Sequence, residues 1–226
     1  MPFTYYHGEA MQNRITVTGI TFPSGNLILE GRLSLPQGEG QLPGVVLCHP
    51  HPLHGGDMDN NVLEGIATAL EDSQMAVLAF NFRGVGHSQG THDGGNGEVD
   101  DALAAARCLA SNPSVDRDRI VIAGYSFGAV VALKAAAKDE GFQAVALVAC
   151  PTRSLESPEV QAISQPKLFI HGDMDNAVQM DQFNSIVQRF PEPTEIEVLP
   201  GADHFLHGYE LQVGERVADF FARTLV

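Results

Sequence analysis

The amino-acid sequence predicts one α/β domain, built on a mostly parallel, twisted sheet of about eight strands with helices on both faces. Three observations predict it. The chain has 226 residues, which fits a single domain spanning 1–226. Hydrophobic residues make up 44% and charged residues 18%, so the chain can fill a sizeable core. After an N-terminal hairpin, apolar runs alternate with helix-like segments along the rest of the chain.

The N-terminal hairpin is predicted from two runs rich in β-branched and apolar residues, 15–20 and 27–35. Residues 23–26, with the sequence PSGN, supply the turn between them. We expect the two runs to pair as antiparallel strands.

The later strands are near-continuous apolar runs, which are typical of strands that helices cover on both faces. These runs are 44–48, 75–82, 119–124, 144–150, 167–171 and 195–199. The segments between and after them have helical spacing, as with Val62, Ile66 and Leu70 in the first. The predicted helices are 60–73, 98–111, 127–138, 179–190 and 210–225. In such sheets the functional groups gather beyond the carboxyl ends of the strands.

The composition argues against several classes of function. A net charge of −15 and a pI near 4.8 repel phosphate backbones, so we expect no nucleic-acid partner. No uncharged apolar run is long enough to span a bilayer, and the first 14 residues lack the basic start and apolar stretch of a signal peptide. We therefore expect no membrane partner and a cytoplasmic protein, with Cys48, Cys108 and Cys150 as reduced thiols.

The motif G-x-S-x-G occurs at residues 124–128, between a predicted strand and a predicted helix. A sharp strand-to-helix turn lifts the serine hydroxyl out of the sheet, towards the positive end of the following helix. Glycines flank the serine because a Cβ there would crowd the neighbouring backbone. This context favours Ser126 as a nucleophile over an ordinary helix-capping serine.

A serine hydroxyl needs a base that accepts its proton. His204 follows the last predicted strand, 195–199, so we expect it at the same sheet edge as Ser126. His207 is the rival candidate, but it stands further from the strand end.

The base in turn needs a carboxylate that holds its tautomer. Asp173 and Asp175 both follow the predicted strand 167–171, and either could reach the base. Asp203 is a poor candidate, because adjacent side chains on an extended chain point apart.

These motifs, in the order serine, aspartate, histidine, resemble the α/β-hydrolase superfamily from about residue 27 to the end of the chain. The chain is similar to small lidless serine hydrolases in three further stretches, HPHPLHGG at 49–56, FNFRGVGHSQG at 80–90 and GDMDNAV at 172–178. The family's acid loop, G-x-x-D-x-x-V, selects Asp175. The layout is also that of dienelactone hydrolases, although these carry a cysteine nucleophile where this chain has Ser126. The resemblance implies an α/β-hydrolase fold and a hydrolase of small acyl esters or thioesters.

Acyl transfer also requires two N–H donors aimed at the developing oxyanion. Phe127, the residue after the nucleophile, is expected to supply one. Pro50 and Pro52 have no N–H, so the amide of His51 is the donor between them and the predicted second member of the oxyanion hole. The implied reaction proceeds through an acyl-enzyme and requires no metal or organic cofactor.

Two alternatives compete with this interpretation. His49, His51 and His54 approach the H-x-H-x-D-H spacing of a metal-dependent hydrolase, although Leu53 stands at the aspartate position. The chain could also be a binding protein that kept the fold and lost catalysis. An intact set of three catalytic residues argues against the latter.

Three other features receive structural interpretations. Arg83 is expected to tie its loop to the domain, and Glu98 to complement the dipole of the helix that it opens. Residues 151–166, stiffened by three prolines, are too few for a cap domain, so we expect an open site.

Overall fold

The structure is a computed structural model that describes residues 15–225. Its strands are β1 (Ile15–Ser24), β2 (Leu27–Pro36), β3 (Leu42–Cys48), β4 (Ala76–Phe80), β5 (Val115–Tyr125), β6 (Phe142–Val148), β7 (Lys167–Gly172) and β8 (Thr194–Leu199). They form one sheet in the order β1-β2-β4-β3-β5-β6-β7-β8. The pairs β1–β2 and β2–β4 are antiparallel, and the other pairs are parallel. The predicted fold class is confirmed.

Six helices cover the sheet in the described part of the chain. They are α1 (Asn61–Asp72), α2 (Asn96–Ala110), α3 (Phe127–Lys138), α4 (Pro158–Gln161), α5 (Met180–Val187) and α6 (Glu210–Thr224). Helices α1 and α6 bury their apolar faces on one side of the sheet, and α2, α3 and α5 bury theirs on the other. The central strands are buried on both faces, which explains why their sequences are continuously apolar rather than alternating.

Strand and helix ends depart from the sequence prediction by a few residues. The hairpin strands continue through Pro23 and Ser24, which pair with Ile28 and Leu27, so the turn contains two residues instead of four. Gly25 supplies the positive φ, at 58°, that this tight turn requires. The strand predicted at 75–82 ends at residue 80, because the chain then leaves the sheet to form the loop that precedes α2.

The connection between β6 and β7 holds a short 3₁₀ helix at Thr152–Leu155 and the single turn of α4. The sequence predicts no helix in this segment. Its buried residues Leu155 and Val160 pack into the core on the α3 side. The segment is therefore part of the domain body, and the prediction of a fold without a cap is confirmed.

The parallel register brings several strand ends to one edge of the sheet. Cys48 of β3 lies opposite Gly124 of β5, and Gly172 of β7 lies opposite Leu199 of β8. The loops that follow these four strands therefore emerge at the same edge of the sheet. Within residues 15–225, no helix is both long and apolar enough to cross a membrane.

Candidate active site

Ser126 lies at the sharp turn between β5 and α3. Its backbone has φ 55° and ψ −115°, a conformation that is rare and strained for a residue with a side chain. The amide of Ser126 donates to the Val148 carbonyl at 2.8 Å, and its carbonyl accepts from Ala129 at 3.0 Å. These backbone bonds hold the strained turn, and the serine hydroxyl is left free of any helix-capping bond.

The glycines of the motif allow the turn to pack closely. A Cβ on Gly124 would lie 2.2 Å from the Gly128 carbonyl oxygen, and one on Gly128 would lie 2.0 Å from that of Cys48. Both distances are far below van der Waals contact, so only glycine fits at either position. The same packing places the loop after β3 directly against the start of α3.

His204 lies in the loop after β8, and its Nε2 is 3.0 Å from Ser126 Oγ. Its Nδ1 is 2.7 Å from Asp175 Oδ2. Because a carboxylate accepts hydrogen bonds, Nδ1 carries the proton and Nε2 presents a lone pair to the serine hydroxyl. The hydroxyl of Tyr125 donates a hydrogen bond to the His204 carbonyl at 2.8 Å, which holds the loop after β8 in place.

Asp175 follows β7 with its carboxyl group fully buried. Its second oxygen, Oδ1, accepts from the amides of Ala177 at 2.8 Å and Val178 at 3.1 Å. Burial on its own would raise the pKa of Asp175, but the hydrogen bonds from His204 and from the Ala177 amide hold it below its ordinary value. The carboxylate is therefore ionised at neutral pH and fixes the tautomer of the ring.

The rival residues have other partners. Asp173 is exposed and accepts from the Gly201 amide at 2.6 Å, which pins the loops after β7 and β8 together. Asp203 accepts from the amides of Phe205 and Leu206 within its own turn. His207 is exposed and stacks on Phe205. Of the candidates weighed from the sequence, the structure brings together Ser126, His204 and Asp175.

The loop after β3 places His51 beside Phe127, with ring centroids 4.9 Å apart. Within residues 15–225 neither backbone N–H donates to a protein acceptor. The His51 carbonyl accepts from His54 and Gly56, and its Nδ1 accepts from the Leu53 amide. The loop is thus held through its carbonyl and side chain, and its amide stays available.

The three histidines of this loop do not converge on a common point. His49 is buried, its Nδ1 donates to the Pro50 carbonyl at 2.7 Å, and its Nε2 accepts from the Phe82 amide at 3.1 Å. Both ring nitrogens are engaged, so His49 cannot act as a metal ligand without breaking this structure. His51 and His54 stack on each other with centroids 4.7 Å apart. The geometry does not favour the metal alternative.

Arg83 ties its loop to the domain, as the sequence predicts, and its partner is Asp101. Its guanidinium and its amide bind the fully buried carboxylate of Asp101, with Nη2–Oδ1 at 2.8 Å and Nε–Oδ2 at 3.0 Å. Asp101 also accepts from the hydroxyl of Ser24 at 2.6 Å. The guanidinium therefore ties the loop after β4 to α2.

Glu98 does more than complement a helix dipole, which the sequence did not reveal. Its carboxylate is fully buried and accepts from the Gly95 amide at 2.8 Å, the Asp93 amide at 3.1 Å and His92 Nδ1 at 2.7 Å. The ring of His92 lies 4.9 Å from that of His51 and 5.4 Å from that of Phe127. A glutamate three residues into a helix was a visible capping signal, but its histidine partner was not.

His171 is a further histidine beside the site that the sequence did not reveal. His171, in β7, is fully buried, stacks on Phe183 and donates from Nε2 to the Val178 carbonyl at 2.9 Å. Its Nδ1 lies 4.0 Å from Asp175 Oδ2 and has no hydrogen-bond partner in the described structure. The His171 ring therefore packs against the Asp175 carboxylate, which binds His204.

Comparison with known proteins places the fold and the site in context. Residues 88–219, more than half of the chain, match the Dienelactone hydrolase family. An α/β serine hydrolase homologue from Coxiella burnetii is 34% identical, with a TM-score of 0.80, over 89% of this chain and 96% of that one. A member of the α/β serine hydrolases without lid from Xanthomonas campestris is 29% identical, with a TM-score of 0.80, over 92% of this chain and 95% of that one.

A curated relative carries an activity in its name. Esterase EstD of Thermotoga maritima is 28% identical over 158 residues, which are 67% of this chain and 35% of that protein. These likenesses support a hydrolase with the α/β-hydrolase fold.

Proposed function

The chain belongs to the dienelactone hydrolase family, and on that premise we propose that it is a serine hydrolase cleaving small acyl esters or thioesters through an acyl-enzyme on Ser126. One observation carries the proposal. Ser126 Oγ, His204 and Asp175 form a continuous hydrogen-bonded relay, with links of 3.0 Å and 2.7 Å. The esterase relative in Thermotoga maritima favours an ester as the substrate.

In the first step, Ser126 Oγ attacks the acyl carbonyl carbon while His204 Nε2 accepts its proton. Asp175 stabilises the imidazolium that forms, since its buried carboxylate already accepts a hydrogen bond from Nδ1. The amides of Phe127 and His51 donate to the oxyanion of the tetrahedral intermediate. The imidazolium then gives its proton to the departing alcohol or thiol, and the acyl-enzyme remains.

In the second step, water attacks the acyl-enzyme. His204 removes one proton from that water and returns it to Ser126 Oγ as the tetrahedral intermediate collapses to the free acid. The relay starts and ends in the same protonation state. The resting tautomer, with the proton on Nδ1, is the one that both steps require.

Serine, rather than cysteine, is the nucleophile in this proposal. Cys48 ends β3 next to the site, but its thiol is fully buried and burial raises its pKa far above the ordinary value. A thiolate is therefore not available there at neutral pH.

The kinetic test compares wild type with Ser126→Ala on p-nitrophenyl acetate and on the matching thioester. We expect the hydrolysis rate to fall by about four orders of magnitude or more. Thermal unfolding should confirm that the variant is folded. A folded variant that keeps a tenth of the wild-type rate would refute the proposed nucleophile.

A further inference from the structure

An open cleft lies beside the proposed oxyanion hole. It has a volume of about 520 Å³ and is lined by parts of three segments, within residues 52–57, 84–86 and 90–92. We call it the His92 cleft, after the imidazole in its lining. Five of its eleven lining residues are glycine, so much of the lining is backbone.

His92 is held in one orientation by a buried carboxylate. Its Nδ1 donates to Glu98 Oε1 at 2.7 Å, and Glu98 is anchored by two further backbone amides. The side chain of His92 is 13% exposed. Because Nδ1 carries the proton for Glu98, the remaining nitrogen, Nε2, is the one left to face a ligand.

The same ring adjoins the proposed site of chemistry. Its centroid lies 4.9 Å from that of His51 and 5.4 Å from that of Phe127, the two residues whose amides are proposed to bind the oxyanion. A substrate held by those amides therefore extends past His92 if it carries a substituent on that side. The His92 cleft is the space such a substituent would occupy.

The lining determines which substituent fits. The amides of Gly90 and Thr91 donate to no acceptor within residues 15–225, and His92 Nε2 has no hydrogen-bond partner there. Pro52, Leu53 and Val85 give the lining an apolar part, but an alkyl chain would leave the two amides and His92 Nε2 without hydrogen bonds, which a hydroxylated group would supply. A carboxylate would face Asp57 in the lining and a chain with a net charge of −15.

We propose that the His92 cleft is a substrate subsite for a hydroxylated, uncharged group, with His92 as the residue that recognises the hydroxyl. A hydroxyl both donates and accepts hydrogen bonds, so it can bond to His92 Nε2 in either protonation state of the ring and accept from a backbone amide. The inference rests on the proposed function, because it assigns the specificity of that same site. It makes Glu98 a positioning residue that fixes the His92 ring.

The test measures kcat/KM for two matched pairs of esters. On the acyl side, p-nitrophenyl 3-hydroxybutyrate is compared with p-nitrophenyl butyrate, and on the alcohol side, glycerol monobutyrate is compared with propyl butyrate. Each ratio is divided by the ratio of alkaline hydrolysis rates to remove intrinsic reactivity. We expect wild type to favour the hydroxylated member of one pair by about tenfold, the effect of one hydrogen bond. The pair that responds identifies which side of the ester enters the cleft.

His92→Phe keeps an aromatic ring against His51 but has no hydrogen-bonding group, so the preference should disappear. His92→Gln should retain part of it. The matched control is His54→Phe, because the exposed His54 ring also stacks on His51 but lies outside the cleft lining. The control should keep the wild-type ratio, and thermal unfolding should confirm that all three variants fold.

The ratio compares two esters on one enzyme, so a general loss of activity cancels. The inference would be overturned if wild type showed no preference in either pair, or if folded His92→Phe kept the wild-type preference. In both cases turnover that still depends on Ser126 would leave the proposed function intact. Turnover that survives Ser126→Ala would instead remove the proposed function, and this inference with it.

Discussion

His49 gives the loop after β3 a measurable dependence on pH. The ring is fully buried, and its Nε2 accepts from the Phe82 amide, so a second ring proton would break that bond inside the core. Burial lowers the pKa of His49 to about 4, although the hydrogen bond to the Pro50 carbonyl offsets part of this effect. In the unfolded chain the pKa of a histidine is about 6.5.

The difference in the pKa of His49 between the folded and unfolded states makes the free energy of unfolding depend on pH. Below about pH 6.5 the unfolded chain binds a proton at this position and the folded protein does not, so protonation favours unfolding. The stability that depends on a neutral His49 is fully present above pH 6.5 and is lost as the pH falls towards 4. Between pH 7.5 and pH 4.5 the free energy of unfolding therefore falls by about 2 to 3 kcal/mol. The fall is roughly 1.4 kcal/mol for each pH unit between the two pKa values.

Urea unfolding at several pH values tests this prediction on wild type and His49→Gln. The variant is less stable at neutral pH, but it cannot titrate at this position. The difference between the two free energies of unfolding should therefore shrink by about 2 to 3 kcal/mol between pH 7.5 and pH 4.5. All other titrating groups are common to both proteins and cancel. An exposed control, His207→Gln, should track wild type. A difference for His49→Gln that stays constant across this range would refute the reasoning.

Three further predictions follow from the site. Asp175→Asn should lower kcat by about 10³- to 10⁴-fold and Asp173→Asn by less than about tenfold, and the reverse ranking in steady-state kinetics would show that the wrong carboxylate was chosen. His51→Pro removes the proposed oxyanion donor and should lower kcat by about 10²- to 10³-fold, whereas His51→Ala should cost about tenfold or less. Equal losses in variants that circular dichroism shows to be folded would assign the role to the side chain. Gly128→Ala would force a Cβ against the Cys48 carbonyl, 2.0 Å away, and should lower the melting temperature sharply, whereas an unchanged value would contradict the close packing.

Much of the fold could be predicted because buried parallel strands have a local signature. The runs that became β3, β6 and β7 are apolar because both faces of each strand are covered, and that property is visible without tertiary information. Ser126 and His204 could be placed for a related reason. Both follow a strand, and parallel strands bring such positions to one edge.

The choice of acid was not available from residue types alone. Asp173 and Asp175 lie on the same loop, and only the resemblance to a known family separated them. In the structure the difference is one of burial and partners, since Asp175 is enclosed and bound to His204, and Asp173 is exposed and bound to Gly201. Such differences arise from contacts between loops that are distant in the sequence.

The parts that the sequence did not predict depend on side chains that approach across loops. Glu98 and His92 pair across a turn that contains two glycines. The His92 ring comes close to Phe127 only because α2 and α3 lie side by side. The sequence predicts too wide a hairpin turn, because proline and serine, here Pro23 and Ser24, are common turn residues. Tertiary pairing kept both in β1.

The central claim is that Ser126 is the nucleophile, and a fluorophosphonate probe tests it most directly. Intact-mass measurement of the labelled wild-type protein should show one adduct, and peptide mapping should place it on Ser126. The Ser126→Ala and His204→Ala variants should remain unlabelled on the same timescale, because the first lacks the oxygen and the second the base. An adduct on any other residue, or a folded wild-type protein that is not labelled, would contradict the account.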